Sequence, residues 1–199
     1  MSVQGTWELH GYAMTCRNDC IATSTGEIPD ALQSAIESKK YQKLLDACAA
    51  EIVGRRAHER RPNVKQRTRT IMTRSVTALE HKEGGWWWNP ATMALDNMLR
   101  MVASSGGRIA INGGQTALEH FIETGLETLH VCRAETLAIQ DGLKLLAACD
   151  RKTTVDEVLR SEGWDLVERK LIDLKAPISI STWRRFPSVA PGDNFSLDI

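Results

Sequence analysis

The stretch RIAINGGQTALEHF, residues 108 to 121, constrains the fold more than any other part of the chain. Ile109, Ala110 and Ile111 form an apolar run that fits a buried strand, and Asn112-Gly113-Gly114 stops it. Ala117, Leu118, Phe121 and Ile122 then fall at helical spacing, and a second apolar run, Thr128 to Cys132, follows. A strand that passes through two glycines into a helix brings bare backbone N–H groups and the positive end of a helix dipole to one point. That point is either a phosphate site or a tight turn.

The same alternation runs through the rest of the chain. Trp7 to Thr15 reads as a strand, followed by the polar loop CRNDCIATSTGEIPD. Pro29 opens a helix from Ala31 to Leu45 with a thin apolar stripe of Leu32, Ile36, Leu44 and Leu45. ACAAEIVG (47 to 54) and RTIMTRS (69 to 75) read as short buried strands. Asn89 and Pro90 start the clearest helix, in which Ala91, Ala94, Leu95, Met98, Leu99 and Val102 repeat before Gly106. This order predicts an α/β fold: a mostly parallel central sheet with helices on both faces.

After about residue 150 the pattern changes. Thr154 and Glu157 have capping-box spacing for a short helix ending at Ser161. Trp164 to Ile172 and Ile178 to Arg184 are predicted to pair as a C-terminal antiparallel hairpin across Leu174-Lys175-Ala176-Pro177. A chain of 199 residues suits one large domain or two small ones, and the reading adopted is a single domain over 1–186 with a C-terminal tail over 187–199.

With 25 basic and 25 acidic side chains, the net charge gives no attraction for nucleic acid or an anionic membrane. Apolar runs are only a few residues long, and the first residues lack the pattern of a leader, so a cytoplasmic protein is expected. The five cysteines, an odd number, fit reduced thiols better than disulfides, and no Cys or His spacing predicts a metal site. RRAHERRPNVKQRTR, between two strand ends, is either a solvated loop or an anion-binding segment. Trp86, Trp87 and Trp88 cannot all face one way in an extended segment, and core packing plus a subunit contact is the reading for them.

Four segments, in order, carry a resemblance. AMTCRNDCIATSTGEIP, VGRRAHERRPN, IMTRS and INGGQTALEHF resemble four signatures of the dihydrofolate reductase-like superfamily. These are its first strand and Gly-x-Ile-Pro step, its Gly-Arg loop, its strand ending in Thr/Ser-Arg, and its Gly-Gly loop before a helix. The chain looks closer to bacterial proteins similar to the reductase domain of riboflavin biosynthesis than to dihydrofolate reductase. Asp30 stands where the folate enzymes have Trp after the Pro, and Ala35 where they have an acidic residue.

The resemblance implies an NADPH-dependent oxidoreductase that transfers hydride to a small heterocycle of the ribosylaminopyrimidine or pterin type. Asn112, Gly113, Gly114, Gln115 and Thr116 would hold the pyrophosphate, with Gly54, Arg55 and Arg56 beside it. Thr73, Arg74 and Ser75 would read the adenosine 2′-phosphate, and Asp30 and Glu37 are the candidates for catalytic acid. It further implies a homodimer. The alternative is a non-catalytic member that keeps the nucleotide cleft for another ligand.

Overall fold

The computed structural model describes residues 6–185. The predicted tail at 187–199 lies outside the described residues.

Strand β1 (Trp7–Cys16) leads through the short β2 (Cys20–Ala22) to helices α1 (Asp30–Glu37) and α2 (Lys39–Asp46). Next come β3 (Ala50–Gly54), α3 (Arg55–Arg60), β4 (Arg69–Met72), β5 (Leu79–Lys82) and β6 (Gly85–Trp88). Helix α4 (Leu95–Val102), β7 (Gly107–Asn112), α5 (Gln115–Thr124) and β8 (Thr128–Ala134) follow. The chain continues with β9 (Leu143–Lys144), α6 (Val155–Ser161), β10 (Trp164–Asp173) and β11 (Ile178–Arg185).

Nine strands form one sheet in the order β10-β11-β8-β1-β7-β3-β4-β6-β5, while β2 and β9 pair separately. The block from β8 to β6 is parallel, and the added strands β11, β10 and β5 are antiparallel to their neighbours. This is the predicted mixed sheet with its C-terminal hairpin. Its consequence is directional: β3, β4 and β7 are adjacent and parallel, so all their carboxyl ends open along one edge.

Alternation along the strands gives the sheet two buried faces. On one, Ile52, Ile109, Ile111 and Leu129 pack with Leu118 and Phe121 of α5 and Leu159 of α6. On the other, Tyr12, Met14 and Cys132 pack with Leu32 and Ile36 of α1 and Tyr41 and Leu45 of α2. Ile109, Leu118 and Leu32 are fully buried, each contributing about 1.5–3 kcal/mol. Gly11 is set by this packing, since a Cβ there would lie 2.8 Å from the Leu129 side chain.

The sequence reading gave no element at β2, α3 or β9, and three further differences have a local reason. The single helix expected over 31–45 is broken at Ser38, which is extended at ψ 138° and caps α2 by accepting from the Tyr41 N–H at 3.3 Å. Helix α4 begins five residues late: Asn89 caps a separate turn, accepting from the Ala91 N–H at 3.1 Å, and Ala94 becomes the helix boundary. The β5–β6 hairpin has no apolar alternation in its first strand, LEHK, so the sequence reading passed over it. Gly85 allows it, because at φ 146° a Cβ would lie 2.4 Å from the Arg69 carbonyl oxygen. That hairpin places Trp88 in the core and leaves Trp86 and Trp87 half-buried.

Candidate functional site

At the carboxyl end of β7 the chain does what the glycine pair predicts. Gly114 is the N-cap of α5, no side chain caps that helix, and a Cβ on Gly114 would meet nothing within 4 Å. The first-turn N–H groups of Gln115 and Thr116 are therefore available to an anion. Gly113 is different in kind: a Cβ there would sit 2.8 Å from the Ala117 Cβ. One glycine allows the helix to pack; the other leaves room above its N-terminus.

The neighbouring strand ends extend this edge. Gly54 ends β3 and caps α3, again without a side-chain cap, and a Cβ on it would be 4.0 Å from Ala117. The loops after β3 and β7 are thus side by side. Arg55 and Arg56 are exposed, Arg55 resting against Glu59 at 3.6 Å. At the end of β4, the buried Thr73 shares a 2.8 Å hydrogen bond with Ser75 and accepts from the Ser75 N–H at 3.0 Å, which shapes the turn that exposes Arg74. Amides, hydroxyls and guanidinium groups follow one another along the edge, a donor set that suits a dinucleotide carrying phosphate.

On the α1/α2 side of the sheet lies a cavity of about 380 Å³. Gln33, Ile36 and Glu37 of α1 and Leu45 of α2 form one wall, and Val53 of β3 and Asn112 of β7 line it from the sheet. Arg60, Arg61, Lys65 and Arg67, all from the basic run, line the opposite side. Arg60 also reaches across to the loop before α1. Its guanidinium lies 3.1 Å from where a Cβ on Gly26 would be, and Gly26 is in the left-handed region at φ 83°.

The cations are not equivalent. Arg67 is held by Asp46 at 2.5 Å and by the Gln42 side chain at 2.7 Å. Behind it, Arg69 donates to Glu51 at 2.6 Å, with both side chains under a tenth exposed. Among the described residues Arg61 has no such carboxylate: its carbonyl accepts from Arg69 at 2.8 Å, and its Nε is buried without a hydrogen-bond partner there. Asp46 is held below the usual carboxylate range, mainly by its hydrogen bond from Arg67. Burial and then Arg69 lower the pKa of His58, 3.3 Å from Arg69 and edge-on to Trp87.

Glu37 is the carboxylate the cavity brings in, and Gln33 donates to it at 2.5 Å. Asp30 sits exposed in the first turn of α1 and is not among the lining residues. Ala35 is on the buried face of α1. At the sheet, burial pushes the Tyr41 phenol above its ordinary range, so it stays protonated and donates to Asn112 Oδ1 at 3.3 Å. Asn112 thus belongs to both halves of the site, lining the cavity and leading directly into Gly113-Gly114. The sequence reading did not assign Gln33, Gln42, Arg60, Arg61 or Arg67 to the site; the basic run was the only signal for the arginines.

No family model matches the sequence, and no curated protein matches it. Solved structures do match. A riboflavin biosynthesis protein from Shewanella sp. PV-4 aligns with TM-score 0.64 over 90% of this chain and 99% of its own, at 13% identity. Dihydrofolate reductase from Enterococcus faecalis, complexed with NADP(H) and RAB-propyl, aligns with TM-score 0.63 over 93% of this chain and 100% of its own, at 15% identity. The fold is dihydrofolate reductase-like. A diaminohydroxyphosphoribosylaminopyrimidine deaminase/5-amino-6-(5-phosphoribosylamino)uracil reductase from Thermotoga maritima aligns with TM-score 0.59 over 91% of this chain and 57% of its own, at 13% identity. At these identities the dihydrofolate reductase-like fold is shared, and the chemistry must be argued from the site. No described helix is long and apolar enough to cross a membrane.

Proposed function

We propose that the protein is an NADPH-dependent reductase that transfers hydride to a small heterocycle of the ribosylaminopyrimidine or pterin type. The observation that carries this reading is the position of Asn112, where a cation-lined cavity meets the strand end that opens into the uncapped α5. Ligands at the strand ends and in the cavity would be neighbours there. Crevices outside the carboxyl ends of strands are the general ligand position in open α/β sheets, and a fold neighbour holds NADP(H).

The hydride is the chemistry the nicotinamide supplies when bound. The chain's own residues do the rest. The amides following Gly113 and Gly114 bind the pyrophosphate together with Arg55 and Arg56. Thr73, Arg74 and Ser75 bind the adenosine 2′-phosphate. Arg61, with its unpartnered buried Nε, offers charge to the polar or anionic end of a heterocyclic substrate. Glu37 is the group that would hold or move a proton at the substrate ring, and Asp30 remains outside the cavity lining.

One observation favours a second reading, a binding protein without catalysis: Ala35 offers no carboxylate on the buried face of α1, and Glu37, the only acid among the described residues that line the cavity, is exposed. The deciding experiment is a titration with NADPH and NADH, read by tryptophan fluorescence, followed by assay of NADPH consumption with pterin and ribosylaminopyrimidine substrates. Binding with turnover supports the reductase. Binding without turnover of either class gives the second reading, and failure to bind either nucleotide removes the reductase reading.

A further inference from the structure

The side chain of Asn112 serves the cavity, while its backbone leads into Gly113-Gly114. It lies two residues after Ala110 on β7, on the face packed by α1 and α2, and lines the cavity from the sheet. Tyr41 decides which end of its amide is left over. The phenol is 1% exposed and stays protonated, and its one acceptor among the described residues is Asn112 Oδ1 at 3.3 Å. Turning the amide over would set an N–H against the phenol oxygen and leave the buried phenol proton with no acceptor. Oδ1 is thus committed to Tyr41. Nδ2, with no hydrogen-bond partner among the described residues, remains as a donor on the sheet wall of the cavity.

The other side-chain amides lining the cavity already donate within the chain. Gln42 donates to the Ile36 carbonyl at 2.8 Å and accepts from Arg67 at 2.7 Å. Asn63 donates to the Arg67 carbonyl at 2.7 Å and accepts from the Arg67 N–H at 3.0 Å, and Gln33 donates to Glu37. The cavity's nearby walls are apolar: Ile36, Leu45 and Val53 are each under a tenth exposed. A neutral N–H donor set among apolar walls suits a flat ring that presents a carbonyl oxygen. A ring amino group in the same place would set donor against donor, and a site built for one hydrogen-bonding group rejects the other.

We propose that Asn112 determines the specificity of the cavity by donating from Nδ2 to a carbonyl oxygen of the heterocycle, and that Tyr41 is the positioning residue that holds the amide in this orientation. The proposal rests on the reading of the cavity as the heterocycle site. Pterin and 2,4-diaminopteridine test it, because the second carries an amino group where the first carries its carbonyl. Calorimetric titration of each into the full chain is expected to show pterin bound about tenfold or more tightly. Asn112→Asp keeps the size of the side chain but offers only acceptors, so it is expected to reverse the preference. Tyr41→Phe keeps the packing and frees the amide to turn, so the preference is expected to fall toward one with both rings still bound; lost packing alone would weaken both rings together. Equal binding of the two rings by the wild type, a wild-type preference for the amino ring, an unchanged preference in Asn112→Asp, or binding of neither ring overturns the proposal. An unchanged preference in Tyr41→Phe overturns the role of Tyr41. NADPH binding, titrated separately, decides the reductase reading, so a protein that binds the nucleotide but ignores the ring carbonyl loses this assignment alone.

Discussion

Replacing Gly114 by Ala separates binding from folding in a way the neighbouring glycine does not. A Cβ at Gly114 meets nothing within 4 Å, and its φ of −74° is open to any residue. Two effects on stability oppose each other. Ala is a poorer N-cap, at a cost of about 1 kcal/mol, while restricting the unfolded chain returns about 0.4–1 kcal/mol. The net change is expected to be close to zero. The new methyl group occupies the space over the N-terminus of α5, so a phosphate there is pushed away from the amides. Loss of one charge-assisted hydrogen bond is worth about 1.5–3 kcal/mol, an increase of about 10- to 150-fold in Kd for NADPH. Gly113→Ala instead forces two Cβ atoms to 2.8 Å, an overpacking expected to cost about 1–3 kcal/mol of stability. Thermal melting and a fluorescence titration of both variants read the two quantities apart. A folded Gly114→Ala protein with wild-type NADPH affinity refutes the phosphate site.

Four further outcomes follow from the geometry. Arg74→Ala is expected to weaken NADPH by about tenfold or more while changing NADH little, and an equal loss for both removes Arg74 from the 2′-phosphate role. Glu37→Gln should lower turnover more than nucleotide affinity, whereas Asp30→Asn should leave both near wild type; the reverse order would shift the acid to Asp30. Glu51→Ala leaves Arg69 buried without its carboxylate and is expected to cost about 3–5 kcal/mol in urea unfolding, so a cost below about 1 kcal/mol would mean that the pair behaves like a surface one. The fourth concerns His10 and His130, whose facing nitrogens lie 3.1 Å apart in rings tilted by only 19°. Such a contact accepts one bridging proton and not two.

Burial first, and His10 next, lower the pKa of His130 to about 3 from 6.5, and burial also lowers that of His10. Arg108 and Arg184 act in the same direction on both rings, Lys170 does so on His130, and Glu8 opposes them at His10. The unfolded chain therefore takes up protons that the folded chain does not as pH falls below 6.5. Stability is full above that pH and is lost on acidification, by up to about 1.4 kcal/mol per pH unit for each proton. Urea unfolding from pH 7 down to 5 measures this slope; an unchanged slope in His130→Gln would assign it to other groups.

Much of the fold was legible where local physics and tertiary demand agree. The strand over 107–112 and the helix over 115–124 follow from an apolar run, a glycine pair and helical spacing. Thr154 and Glu157 form the capping box their spacing predicts. The legible part of the candidate site is the glycine turn between β7 and α5, proposed here to hold phosphate, because a glycine pair announces itself in sequence. The cavity was less legible. Its arginines come from a basic run whose separate fates, Arg67 to Asp46, Arg69 to Glu51 and Arg61 to neither, depend on acids supplied by distant segments. The division of labour between Gly113 and Gly114 was also invisible, since only the position of Ala117 distinguishes them.

The sequence by itself determined the alternation of strands and helices, the buried stripes and the uncapped helix start after Gly114, because these depend on the spacing of side chains along a short stretch of chain. The tertiary structure alone decided which strand ends lie side by side, which carboxylate enters the cavity and which cation keeps an unpaired donor. Those outcomes depend on distances between segments tens of residues apart, and strand order, not local spacing, sets them.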